Sequence, residues 1–248
     1  MPYFTQSDYH ALRQIRQAPD SAPVQEAWGR MEALHRVLHE RLQQYNVALY
    51  PNPQTGKAVS AQTLTSPLPQ DALTIIYTRN HAQAATVENL MGRDSVNVSS
   101  AVRLLHHPVV EVRLSPEHLA VELVVAPTAW YDQQNFVGKL SIKQHREDFY
   151  NLLEKVPGRC LMGLWGGLRP QDSHIDLSKL PPKVLLYEYL DTFAAGRDWL
   201  RFGYWYEPAD EDINAARISA TLYANIEALY AAFRFIAWTG DNNFRRFY

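Results

Sequence analysis

The chain has 248 residues, 46% hydrophobic and 20% charged, with a formal net charge of −2. That composition excludes a disordered chain, and the charge balance lacks the basic excess by which nucleic-acid binders attract a polyanion. One cysteine, Cys160, excludes an internal disulfide framework and any cysteine-based zinc site.

The first predicted element is a short helix from Ser7, its expected N-cap, to about Gln17. Pro19 to Pro23 forms a turn. A long helix follows, about Val24 to Tyr45, with an apolar stripe at Trp28, Met31, Leu34, Leu38, Leu42 and Tyr45, spaced by threes and fours. Residues 1–46 thus form an N-terminal helical pair. Val47 to Tyr50 reads as a short strand. The segment 51–70 carries Pro51, Pro53, Pro67 and Pro69 without periodicity and reads as a long surface loop. Leu73 to Thr78 is a strand and His81 to Met91 a helix.

Val109–Leu114 and Leu119–Ala126 flank Ser115-Pro116-Glu117-His118, the pattern of a hairpin. Pairing Leu114 with Leu119 gathers Val110, Val112, Val121 and Leu123 on one apolar face. The same register sets Glu111 opposite Glu122 on the other. Like charges so opposed need compensation: a cation such as Arg113, a raised pKa or a metal ion. One or two helices occupy Thr128 to about Val156. Cys160 to Gly167 reads as a glycine-rich strand with Leu161, Gly163, Trp165 and Gly167 on one side, and with Cys160 a buried, inert thiol in an apolar run. Pro182 to Ala195 is a helix stopped by Gly196.

Asp198 to Tyr206 is a strand with unlike faces, because side chains alternate across it. Leu200, Phe202, Tyr204 and Tyr206 form a core face. Trp199, Arg201, Gly203 and Trp205 form the other, suited to stacking on a flat group. Trp165 is expected either to fill the space over Gly203 or to wall a groove floored by it, with Trp130-Tyr131-Asp132, early in the helix after the hairpin, adding to the rim. A last helix runs from Asp210 to about Trp238, with a stripe at Leu222, Ile226, Leu229, Phe233 and Ile236 and Gly240 as C-cap. The aromatic, basic tail Asp241 to Tyr248 docks on its own domain or on another chain.

Clean alternation of strands and helices is missing, as is a glycine-rich phosphate loop after a strand. The expectation is a single α+β domain over 1–248, an antiparallel or mixed sheet covered by helices. The N-terminus has no signal-peptide character, and no apolar run approaches the roughly 20 residues of a membrane span, so a soluble, cytoplasmic protein is expected.

Catalytic motifs are scarce. His35 and His39 share a helix face, but Arg36 stands where a zinc protease needs Glu. Arg30 and His35 have the spacing of some helical ribonucleases, with Met31 where those carry a polar residue. His106 and His107, adjacent in the chain, point apart. Gly56-Lys57 lacks the rest of a phosphate loop, and no serine sits in Gly-x-Ser-x-Gly. The reading is a non-catalytic binding or accessory subunit of a larger assembly, without cofactor, that uses Trp199, Arg201, Trp205, Trp165 and Tyr131 together with the tail. Its expected partner is another protein chain or a second copy; the net charge gives nucleic acid no support. The rival is a metal-dependent phosphodiesterase or nuclease using Glu111 and Glu122, although the second strand reads Glu122-Leu123-Val124 and lacks the usual lysine. A third reading is a small-molecule pocket beneath the 51–70 loop.

Overall fold

The computed structural model describes residues 1–52, 57–61, 64, 71–92, 103–167, 170 and 172–244. Among these the chain forms an α+β fold, with an antiparallel sheet and helices on its inner face. Helix α1 (Gln6–Leu12) starts one residue earlier than expected. Its cap is Thr5, whose hydroxyl accepts the Asp8 N–H while the Asp8 carboxylate accepts the Thr5 N–H at 2.6 Å. This reciprocal capping box outcompetes Ser7, which lies inside the helix.

Helix α2 (Ala22–Gln44) buries Val24, Ala27, Met31, Leu34, Leu38 and Leu42. Tyr45, placed in the stripe by its spacing, is 59% exposed because the helix stops before it. Asn46, in the left-handed region at φ 55°, reverses the chain. Strand β1 (Tyr50–Pro51) is shorter than the expected Val47–Tyr50. The 51–70 segment lies mostly outside the described residues, but it contributes β2 (Val59–Ser60), paired with β3 (Leu73–Thr78). Helix α3 (His81–Leu90) follows, capped by Asn80.

Strands β4 (Val109–Leu114) and β5 (Leu119–Val125) pair in the expected register, including Leu114 with Leu119 and Glu111 with Glu122. Two helices follow, α4 (Trp130–Leu140) and α5 (Lys143–Leu153). Strand β6 (Leu161–Gly163) ends well before Gly167, so the alternation read through Trp165 and Gly167 does not hold past Gly163. Strand β7 (Ile175–Asp176), helix α6 (Lys183–Asp191) and strand β8 (Leu200–Tyr206) complete the sheet, ordered β1-β3-β4-β5-β8-β6-β7 with β2 beside β3. Helix α7 (Ile218–Ile236) begins after a 3-10 turn at Glu211–Ile213 rather than at Asp210. Its C-cap is Ala237, not Gly240.

The inner face of the sheet packs on α2 and α7. Leu222, Ile226, Leu229, Phe233 and Ile236 of α7 are all buried, as the stripe predicts. They meet Val110, Val112, Val121, Leu123, Phe202 and Tyr204 in one apolar cluster that runs from Phe4 to Ala237. Burial of this order is the dominant favourable contribution to folding. Among the described residues no helix is long and apolar enough to cross a membrane.

Candidate functional site

Two constellations stand out, one on the outer face of the sheet and one where α4 meets the C-terminal tail. The outer face is unusual because its centre is charged and fully buried. Glu111, Arg113, Glu122 and Arg201 each have no exposed surface. Arg113 bridges the opposed carboxylates, with Nη1 3.2 Å from Glu111 Oε1 and Nη2 paired to Glu122. Arg201 pairs with Glu122 from the other side and also donates to the carbonyl of Gly167. The backbone N–H of Leu64, in the 51–70 segment, donates to Glu111 at 3.2 Å. Two negative and two positive charges therefore cancel within one layer. Each carboxylate has an arginine where a metal ion would otherwise be needed.

Glycine makes room for this layer. A Cβ at Gly203 would lie 2.7 Å from Glu122 Cγ and 2.9 Å from the Trp205 ring. Glu122 and Trp205 thus lie across the bare backbone of β8. The Trp165 ring occupies the equivalent space over Gly163, not over Gly203, so that a Cβ at Gly163 would overlap it. Trp165 also covers the Arg201 guanidinium, 5.3 Å from ring centroid to carbon, and lies 6.1 Å from Trp205. Trp199 packs apart from these, against the small cluster of Ile76, Leu104, Val109 and Val124.

Of the residues picked from the sequence for this face, Arg201, Trp165 and Trp205 come together with Glu122. Arg201 and Trp165 are buried, and Trp199 and Trp205 are half-buried. The guanidinium plane of Arg201 is already covered by Trp165.

Tyr131 belongs to the second constellation. Trp130 and Tyr131 open α4, their rings 5.6 Å apart and nearly perpendicular at 77°. Tyr131 meets Trp238 in the same way, at 5.4 Å and 70°. Trp238 is fixed through its backbone. Its N–H donates to Asp132 Oδ1 at 2.7 Å, and its carbonyl accepts from Arg79 Nη1 at 3.1 Å. Arg79 in turn pairs with Asp132, both buried. Burial pushes the Asp132 carboxyl up, and Arg79 and the Trp238 N–H pull against it.

The described tail residues, 241–244, close the far side; the rest of the tail, on which the docking expectation also falls, lies outside the described residues. Phe244 lies over Gly138, where any Cβ would overlap its ring, and its N–H donates to Asn135 Oδ1 at 3.0 Å. Asn135 also donates to the carbonyls of Ile236 and Asn242. Lys139, buried, donates to the carbonyl of Phe235 at 2.8 Å and to Asn242 Oδ1. Burial brings the Lys139 amine down to about 8. Between these parts lies a surface cavity of about 230 Å³ lined by Trp130, Tyr131, Gln134, Trp238 and Phe244. Residues 245–248 of the tail are outside the description.

The sequence pointed to Tyr131 and to a docked tail, but not to Trp238, Asn135, Lys139 or the Arg79–Asp132 bracket. Adjacent aromatics at a helix start were the visible signal. The bracket joins positions 53 residues apart, and no local pattern carries it.

The remaining candidates have structural partners. His35 and His39 stack at 5.6 Å, with His35 Nδ1 3.0 Å from the Tyr77 hydroxyl. Arg30 pairs with Asp8 at 2.6 Å. His107 is buried with Nε2 3.4 Å from Glu88. No protein-family model matches the chain, and no curated protein matches it.

Proposed function

We propose that the protein is a non-catalytic binding subunit whose contact surface is the aromatic cavity at the start of α4 together with the docked tail. The observation that carries this reading is the meeting of four aromatic side chains, Trp130, Tyr131, Trp238 and Phe244, around one surface cavity. Trp130 is 40% exposed there. Exposed tryptophan and tyrosine held on a rigid support are the residues that most often anchor interfaces. The support is rigid because Arg79, Asp132, Asn135 and Lys139 spend buried polar groups on fixing the tail and the α7 terminus. The Glu–Arg layer has a structural role in this reading: it stiffens the sheet that carries α4 and α7.

The rival, a metal-dependent phosphodiesterase, draws on the Glu111–Glu122 register. Against it stands the donor chemistry, since Arg113 and Arg201 occupy the carboxylates. The test is hydrolysis of bis(p-nitrophenyl) phosphate with Mg²⁺ or Mn²⁺, for wild type and Glu111→Gln. The reading expects no metal-dependent turnover in either. Turnover that disappears in Glu111→Gln overturns it.

A further inference from the structure

The chemistry of the aromatic cavity is specific enough to name the group it takes. Four of its described lining residues are aromatic, and Gln134 is the one non-aromatic side chain among them. No carboxylate lines it among those residues. A strongly hydrated ammonium entering such a site would give up water for nothing equivalent, whereas a cation whose charge is spread over methyl groups gives up little.

Shape selects further. Tyr131 stands at 77° to Trp130 and 70° to Trp238. These edge-to-face pairs offer no slot between parallel rings, which is where a planar guanidinium gains most, so a rounded cation fits the lining better. The volume, about 230 Å³, is below the 300–1,000 Å³ typical of whole-ligand sites. The cavity therefore holds one head group.

We infer that this cavity is a binding site for a trimethylammonium group, held by cation–π contact with Trp130, Tyr131 and Trp238 and closed on one side by Phe244. The inference rests on the binding-subunit reading and supplies the chemistry of what is bound. The group can be carried on a trimethylated lysine of a partner chain or on a small quaternary amine of the choline type; the chemistry of the contact is the same.

The experiment is a tryptophan-fluorescence titration of the full chain with four probes. They are a short Gly/Ser-flanked peptide with one trimethyl-lysine, the same peptide with unmodified lysine, its neutral isostere with carbon in place of the quaternary nitrogen, and choline chloride. The trimethyl-lysine peptide or choline should bind about tenfold more tightly than both the unmodified and the neutral peptides, as expected of a desolvated cation–π contact. A peptide preferred over choline assigns the group to a side chain, and choline at equal or better affinity assigns it to a small quaternary amine.

Trp130→Ala, at a position 40% exposed, should lose about tenfold while the chain still folds, as read by an unchanged far-UV circular dichroism spectrum. Tyr131→Leu should lose as much. Equal binding of the neutral isostere, no saturable binding of any probe, or unchanged binding in both variants overturns the inference. Absence of binding alongside absence of metal-dependent turnover would sink the ligand assignment alone. Turnover dependent on Glu111 would sink the binding-subunit reading itself.

Discussion

Glu111 and Glu122 face each other across β4 and β5, and Arg113, two residues along the same strand from Glu111, reaches both. The repulsion written into the hairpin register is thereby turned into an ion-paired layer. Removing the bridge while keeping the carboxylates should be costly. Arg113→Met is expected to destabilise the fold by about 3–5 kcal/mol, the usual cost of stranding a buried charge. Adding Glu111→Gln alone to Arg113→Met should recover a substantial part of that loss, because Glu122 then stays paired with Arg201 and no buried charge is left over. Urea denaturation of the single and double variants measures both.

Two glycines should respond in opposite directions to alanine. Gly163 underlies the Trp165 ring, so Gly163→Ala must displace that ring and its contact with Arg201. Gly29 lies within α2 with open space where its Cβ would be. Gly29→Ala should therefore stabilise by up to about 1 kcal/mol, the difference in helix propensity. Thermal melts of the two variants should move to opposite sides of wild type.

Acid should weaken the fold through His107. Burial and the nearby Arg79 push its imidazole down to about 4. The unfolded chain takes up a proton near 6.5, whereas the folded one refuses it until about 4. This contribution to stability is complete above pH 6.5 and is lost as the pH falls from there toward 4. His107→Leu should flatten that part of a stability-against-pH curve measured by urea denaturation.

Lys139 predicts a change at the alkaline end. Its folded amine titrates near 8 against 10.5 when unfolded. Between these values the unfolded chain holds a proton the folded chain has released, so this group adds stability as the pH rises from 8 to 10.5. Lys139→Met should remove that rise. It should also loosen the described part of the tail, read as faster amide hydrogen exchange at Asn242 and Phe244.

Much of the frame was legible because it is periodic. The α7 stripe, the four-residue hairpin loop and the inner faces of β4, β5 and β8 follow from spacings of two, three and four that burial enforces. The Glu111–Glu122 register was equally legible, since slipping it by one residue would turn the apolar face outward. What alternation could not reveal is whether the second face meets water. Arg201 reads as a surface residue from its charge, yet it lies under Trp165 with Glu122 beside it. The strand expected through Gly167 stops at Gly163 because the Trp165 ring turns back over that glycine. In the second constellation, Trp130 and Tyr131 were visible as neighbours in sequence. Trp238 and Phe244 were not, because Arg79, Asp132 and Asn135 bring them there by long-range bonds.

Cys160 gives a check on the sheet itself. Burial raises its thiol pKa to about 12. A thiol reagent should leave it unmodified in the native protein and label it fully in urea; rapid native labelling would show that β6 opens readily.

The most direct measurement of the central claim is native mass spectrometry of the purified full chain without added ligand, beside Glu111→Gln. The account predicts the bare chain mass for both proteins, with Glu111 and Glu122 taken up by Arg113 and Arg201. A wild-type species carrying the mass of a divalent ion, absent from Glu111→Gln, would contradict it.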